Sequence, residues 1–161
     1  MKQLLIILIS ILLLSSPVIG NNQKGETLYL WGKYPDYKWM EFGDKETQPI
    51  YQGDLKNGKP DGLGFLIYPN GDKYVGSWVN GKRNEGTVTH SDGSTFVGNF
   101  KDGKYWIGIM TLPKEVGIKI VGEWRNSMMW NGKQITPNGK ITGKYVNGKY
   151  IEQLPPYKTN Q

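Results

Sequence analysis

Between residues 50 and 149 apolar and polar positions alternate in short runs, and one run returns five times. Tyr51-Gln52-Gly53-Asp54-Leu55 is followed by Tyr74-Val75-Gly76-Ser77-Trp78, Phe96-Val97-Gly98-Asn99-Phe100, Ile120-Val121-Gly122-Glu123-Trp124 and Ile141-Thr142-Gly143-Lys144-Tyr145. The starts at 51, 74, 96, 120 and 141 lie 23, 22, 24 and 21 residues apart. Each run reads ring or Ile, any residue, Gly, a polar residue, then a large apolar residue. Alternation with a period of two is the pattern of a half-buried strand. Every run but the fourth ends in Asn57-Gly58, Asn80-Gly81, Asp102-Gly103 or Asn147-Gly148, each followed by lysine. These pairs tolerate positive φ and favour tight hairpin turns. A second turn signal follows in Pro69-Asn70-Gly71, Ser91-Asp92-Gly93 and Pro137-Asn138-Gly139, stretched in the third unit to Pro113-Lys114-Glu115-Val116-Gly117. Between the two signals a short strand opens with Gly64, Gly86, Gly108 or Gly132. The chain is therefore predicted to be all-β. It should form an elongated antiparallel meander of consecutive β-hairpin repeats in a single sheet, with no substantial helix in the mature chain.

Side chains alternate across a strand, so the face of each unit can be read from the run. One face takes three columns: Tyr51, Tyr74 and Phe96; Gly53, Gly76, Gly98, Gly122 and Gly143; and Trp78, Phe100, Trp124 and Tyr145. A glycine between bulky neighbours leaves backbone open for a ring to lie across. The other face carries Asp54, Ser77, Asn99, Glu123 and Lys144 and is expected to be wet. One unit cannot bury its rings alone, and stacking of units does it. About ten strands at roughly 4.8 Å would span about 45 Å. Residues 21–49 are a candidate N-terminal cap, rich in rings (Tyr29, Trp31, Tyr34, Tyr37, Trp39, Phe42) but without the repeat. Residues 150–161 are expected to supply a last edge strand and a tail stopped by Pro155-Pro156.

The pattern Tyr-x-Gly-x-Trp-x-x-Gly-Lys, a following Gly-x-Gly, and a later Asn-Gly or Asp-Gly resembles the MORN repeat. It is carried best by residues 51–71 and 74–86 and well by residues 96–108. The fourth unit departs, with Ile120 for the ring and Ser127 for the turn glycine, and the fifth is truncated after Gly148. The resemblance implies a single-sheet repeat architecture and a role in scaffolding, protein contact or, less directly, contact with acidic lipid headgroups. It implies no particular activity.

Composition changes this picture little and the N-terminus changes it more. Lys2 precedes residues 4–14, which hold only Leu, Ile and one Ser, and Ser15, Ser16, Pro17 and Gly20 follow. A charged start, a short apolar stretch and a small residue describe a signal peptide over residues 1–20, with an uncleaved anchor as the alternative. Export to the periplasm, the envelope surface or the medium is the expectation. The chain has no cysteine, so neither a disulfide framework nor cysteine lipidation is available. Formal net charge is +6, of which Lys2 carries one.

Candidate chemistry is sparse. His90, the single histidine, lies just before a turn with no second histidine or cysteine to complete a site. Asp61, Asp72, Asp92 and Asp102 are spread about one to a turn, where aspartate serves the backbone. No set of residues points to an enzyme, a cofactor or a metal. The ring columns are read as core, with a sugar- or base-stacking platform as the other reading. The edge bearing the first set of turns is the candidate interaction surface. It carries Lys59, Lys82, Arg83, Lys104 and Lys149, and two turns there are apolar: Tyr105-Trp106 and Met128-Met129-Trp130. The expected function is a non-catalytic, exported module that binds a protein partner. Peripheral binding to an acidic phospholipid or other polyanion through this edge is the first alternative, and a secreted enzyme or glycan binder the second. Nucleic acid fits poorly with export and mixed charge.

Overall fold

The computed structural model describes residues 26–33 and 36–153, so the leader, Tyr34 and the tail from residue 154 lie outside the described residues. Twelve strands form one open sheet, and no described residue is helical. The repeat array is ten of them: β3 (Ile50–Lys56), β4 (Lys59–Ile67), β5 (Lys73–Val79), β6 (Lys82–Thr89), β7 (Thr95–Lys101), β8 (Lys104–Thr111), β9 (Lys119–Arg125), β10 (Met128–Ile135), β11 (Ile141–Val146) and β12 (Lys149–Glu152). They pair antiparallel in chain order, as the alternation predicts. The hairpin turns have the expected backbone: Asn57, Asn80, Asp102 and Asn147 have φ between 48° and 52°, each followed by a positive-φ glycine. In the fourth unit Ser127 takes that second position at φ 62°, where its Oγ accepts from the Tyr105 N–H at 3.3 Å.

The glycine column is longer than the five-residue run shows. Gly53, Gly64, Gly76, Gly86, Gly98, Gly108, Gly122 and Gly132 are successive cross-strand partners, an unbroken ladder over eight strands. Rings lie across it. A methyl group on Gly64 would sit 2.6 Å from Cζ of Tyr51, one on Gly86 2.9 Å from Cε2 of Tyr74, and one on Gly108 2.6 Å from Cζ of Phe96. The tyrosines anchor themselves by donating to carbonyls beyond the glycine, Tyr51 to Asp54 and Tyr74 to Ser77, both at 2.7 Å. Trp78 and Trp124 in the third column meet these rings edge-on and donate to the carbonyls of Gly64 and Gly108 at 3.3 and 3.4 Å. Tyr51, Tyr74 and Phe96 are wholly buried. A single sheet thus obtains a core from its own side chains.

The N-terminal segment adds two strands, β1 (Glu26–Trp31) and β2 (Lys38–Met40), and breaks the meander order. β1 pairs with β3, and β2 takes the outer edge beyond β1. Residues 41–49 return across β1, with Gly43 against the Tyr29 ring and Phe42 accepting from Trp31 Nε1 at 2.8 Å. On the ring face Trp39 packs edge-on against Tyr51 and Trp78, with centroids 5.7 and 5.6 Å away, and its Nε1 lies 3.3 Å from the Gly81 carbonyl. Gly81 follows β5, four strands from β2, a separation of roughly 19 Å on a flat sheet. The sheet therefore curls toward its ring face, and the cap closes over the first two units.

Candidate functional site

The turn edge divides its residues in two. Most hairpins carry a bulge just after the turn: the register slips at Asn84, Trp106 and Trp130. A bulge re-aims side chains on either side of it. Tyr105 consequently faces the ring side and stacks on Phe96 with centroids 3.9 Å apart and planes 14° from parallel. Met129, also before its bulge, is buried, and its methyl lies over Gly122 and Gly132. That is where a ring would lie if residue 120 were aromatic. The apolar candidates of this edge, Tyr105, Trp106, Met128, Met129 and Trp130, therefore do not all lie on one surface. Tyr105 and Met129 belong to the core, because the bulge turns them inward. Trp106 and Met128 stay exposed, at 46% and 70%. Trp130 is half-buried, with the Arg125 guanidinium 4.2 Å over its ring.

The basic residues of the edge divide likewise. Lys82 pairs with Asp102 at 3.0 Å, and Lys104 donates to Asn126 at the same distance. Arg83 donates to the Gly103 carbonyl and lies 5.6 and 5.0 Å over the rings of Tyr74 and Phe100. Each cation fastens its own hairpin to the next turn. Backbone bonds do the same elsewhere, from Gly81 to Pro60 and from Gly148 to Trp130, both 2.8 Å. Lys59 and Lys149 are exposed.

The face expected to be wet is not uniformly so. Phe65, Val75, Thr87, Val97, Ile109 and Val121 are successive cross-strand partners along its midline. Phe65 and Val75 are exposed and Val97, Ile109 and Val121 half-buried. Polar residues run beside them, among them Ser77, Glu85, Asn99 and Glu123. Of the expected polar column, Asp54, Ser77, Asn99 and Glu123 lie on one flank of this face, but Lys144 does not: it pairs with Lys133, the partner of Val121, and so continues the midline. No described strand covers it.

On the ring face the fold gathers three polar side chains that are far apart in the chain. Asp72 Oδ1 accepts from the Ser91 N–H at 2.9 Å, tying two turns together, and Oδ2 lies 3.3 Å from His90 Nδ1. His90 Nε2 is 2.7 Å from the Tyr105 hydroxyl. Burial opposes the Asp72 charge, but the Ser91 N–H, Asn70 and His90 outweigh it and hold the carboxyl below its ordinary value. Burial pushes the Tyr105 hydroxyl up to about 12, with Arg83 pulling the other way and Asp72 and Tyr68 adding to it. At neutral pH Asp72 is ionised and Tyr105 is protonated, and the imidazole of His90 bridges the two. Spacing along the chain had suggested no such convergence. It depends on a bulge and on a tyrosine long enough to cross the sheet.

The repeat model for MORN matches residues 51–73 and 74–95, the first two units of the array. Residues 51–95 thus carry two MORN repeats. No curated protein matches the chain. The third to fifth units lie outside that match, yet the glycine ladder runs through the third and fourth unchanged. MORN repeats are in general a non-catalytic module, often one of binding or interaction.

Proposed function

We propose that this MORN-repeat chain is an exported, non-catalytic module that binds a protein partner. The observation that supports it best is the apolar ladder from Phe65 to Val121 on the uncovered side of a single-layer sheet. A mostly apolar strip, interrupted at Thr87 and rimmed largely by polar residues, is the composition of a protein contact surface. Exposed Trp106 and Met128 at the turn edge extend the same chemistry to one corner. Contact with an acidic lipid surface has weaker support, because Lys82 and Lys104 are held to Asp102 and Asn126. Export rests on the leader-like residues 1–20.

The experiment is cross-linking and partner recovery from the compartment that holds the mature protein. Val75→Lys with Val97→Lys should abolish recovery while leaving the melting temperature near that of the parent. Trp106→Ala tests the corner separately. Undiminished recovery with all three substitutions would refute the surface as the contact.

A further inference from the structure

The polar cluster on the ring face borders a hollow of about 360 Å³ that the MORN repeat pattern does not require. Tyr68, Asp72, Arg83, Val88, His90 and Tyr105 line it. Its polar members stand at repeat positions that the units fill differently: Tyr68 and His90 just before the second turn, Arg83 and Tyr105 just after the first. At one end is the Arg83 guanidinium, half-buried on the bed of Tyr74 and Phe100. Its one protein acceptor is the Gly103 carbonyl, and no carboxylate among the described residues pairs with it. At the other end Asp72, His90 and Tyr105 are joined in one hydrogen-bonded chain, and Tyr68 lines the hollow beside them. Val88 supplies an apolar wall.

The two ends make different demands. A planar guanidinium without a counter-ion matches a carboxylate, which it can hold by two parallel hydrogen bonds. Hydroxyl, imidazole and carboxylate groups match a ligand whose own hydroxyls both donate and accept. Aromatic and aliphatic walls match the apolar face of a sugar ring. A bare small anion would leave the tyrosine end unfilled. The volume is within the range of small-molecule sites, which begins at about 300 Å³. We propose that the hollow binds an acidic saccharide of the uronic acid class, its carboxylate on Arg83 and its hydroxyls on Tyr68, Tyr105 and His90. This site lies on the face opposite the apolar ladder, so it can be present or absent independently of the protein contact.

The test is calorimetric titration of the mature chain with a trigalacturonate, with a neutral glucose trisaccharide and with acetate. Saturable binding of the trigalacturonate is expected, at least about tenfold tighter than either comparison ligand, since one lost charge-assisted contact is worth about that factor. Tyr68→Phe and His90→Gln should each weaken it by about tenfold, and Arg83→Lys, which keeps the charge and loses the planar fork, by more. Because Arg83 also packs on two rings, Tyr68→Phe carries the test if Arg83→Lys fails to fold. No saturable binding of the trigalacturonate overturns the proposal. So does acetate binding equally well, or an affinity that Tyr68→Phe and His90→Gln leave unchanged.

Discussion

At the scale of single residues the glycine ladder is the element on which the core of the array depends. Its glycines serve as absent side chains more than as flexible hinges. A methyl on Gly86 would lie 2.7 Å from Cα of Gly76 and 2.9 Å from the Tyr74 ring, and it would also meet the Val75 carbonyl oxygen. Backbone cannot yield as a side-chain tip can. Gly86→Ala should therefore cost about 3 kcal/mol, the upper end of overpacking penalties. Gly93 is the contrast: its φ is +85°, and a methyl there would meet nothing within 4 Å. Gly93→Ala should cost about 1 kcal/mol, from backbone strain alone. Chemical denaturation of the two variants measures the difference, and equal costs would refute the close-packing account. These glycines were legible in the sequence because each recurs at a fixed place in the run. Tyr105 and Met129 were not. Their inward aim comes from a one-residue slip after the turn, and nothing in their local alternation announces it. The ladder on the outer face is equally legible. The position after the ring reads Val75, Val97 and Val121 in the three middle units, between Gln52 in the first and Thr142 in the last.

Among elements, the N-terminal pair of strands owes least to pattern. Its rings marked it as buried material, and Leu28, Trp39 and Tyr51 do share the core. Its order could not be read, since a strand of three residues has too little alternation to fix a partner. What places β2 is the contact it makes: Trp39 spans from the sheet edge to Trp78 and Gly81. Without it Tyr51 and Trp78 would lose an aromatic neighbour each and take on water. Trp39→Ala should cost about 3 kcal/mol, the low end for deleting a large aromatic side chain, because the ring is only partly buried. The loss should appear as a lower denaturation midpoint together with changed near-ultraviolet dichroism from Trp78. An unchanged midpoint would show that the cap rests on the array without stabilising it.

Taken whole, the molecule is a row of units in which each touches only its neighbours, apart from the curl at the cap. Stability in such arrays is close to a sum of unit and interface contributions, and it need not be uniform. The row weakens toward its C-terminal end for reasons visible residue by residue. Tyr51, Tyr74 and Phe96 each cross a ladder glycine, but Ile120 cannot, and flexible Met129 fills the gap. Ser127 holds a positive φ that its predecessors give to glycine. Beyond Gly132 the ladder ends against Tyr145, and every residue of β12 is exposed. Amide exchange should therefore be slowest in β5, β6 and β7 and fastest in β11 and β12. Met129→Ala sharpens the test, because it removes the substitute for a ring and leaves units one and two untouched. It should speed exchange from β9 to β12 by about tenfold or more, as a loss of 1.4 kcal/mol or more in local opening requires. Exchange in β3 to β6 should stay within experimental error of the parent. If Met129→Ala instead accelerates exchange equally along the whole sheet, the array opens as one cooperative block. The interfaces between units would then be strong enough, relative to the units themselves, that no unit opens alone.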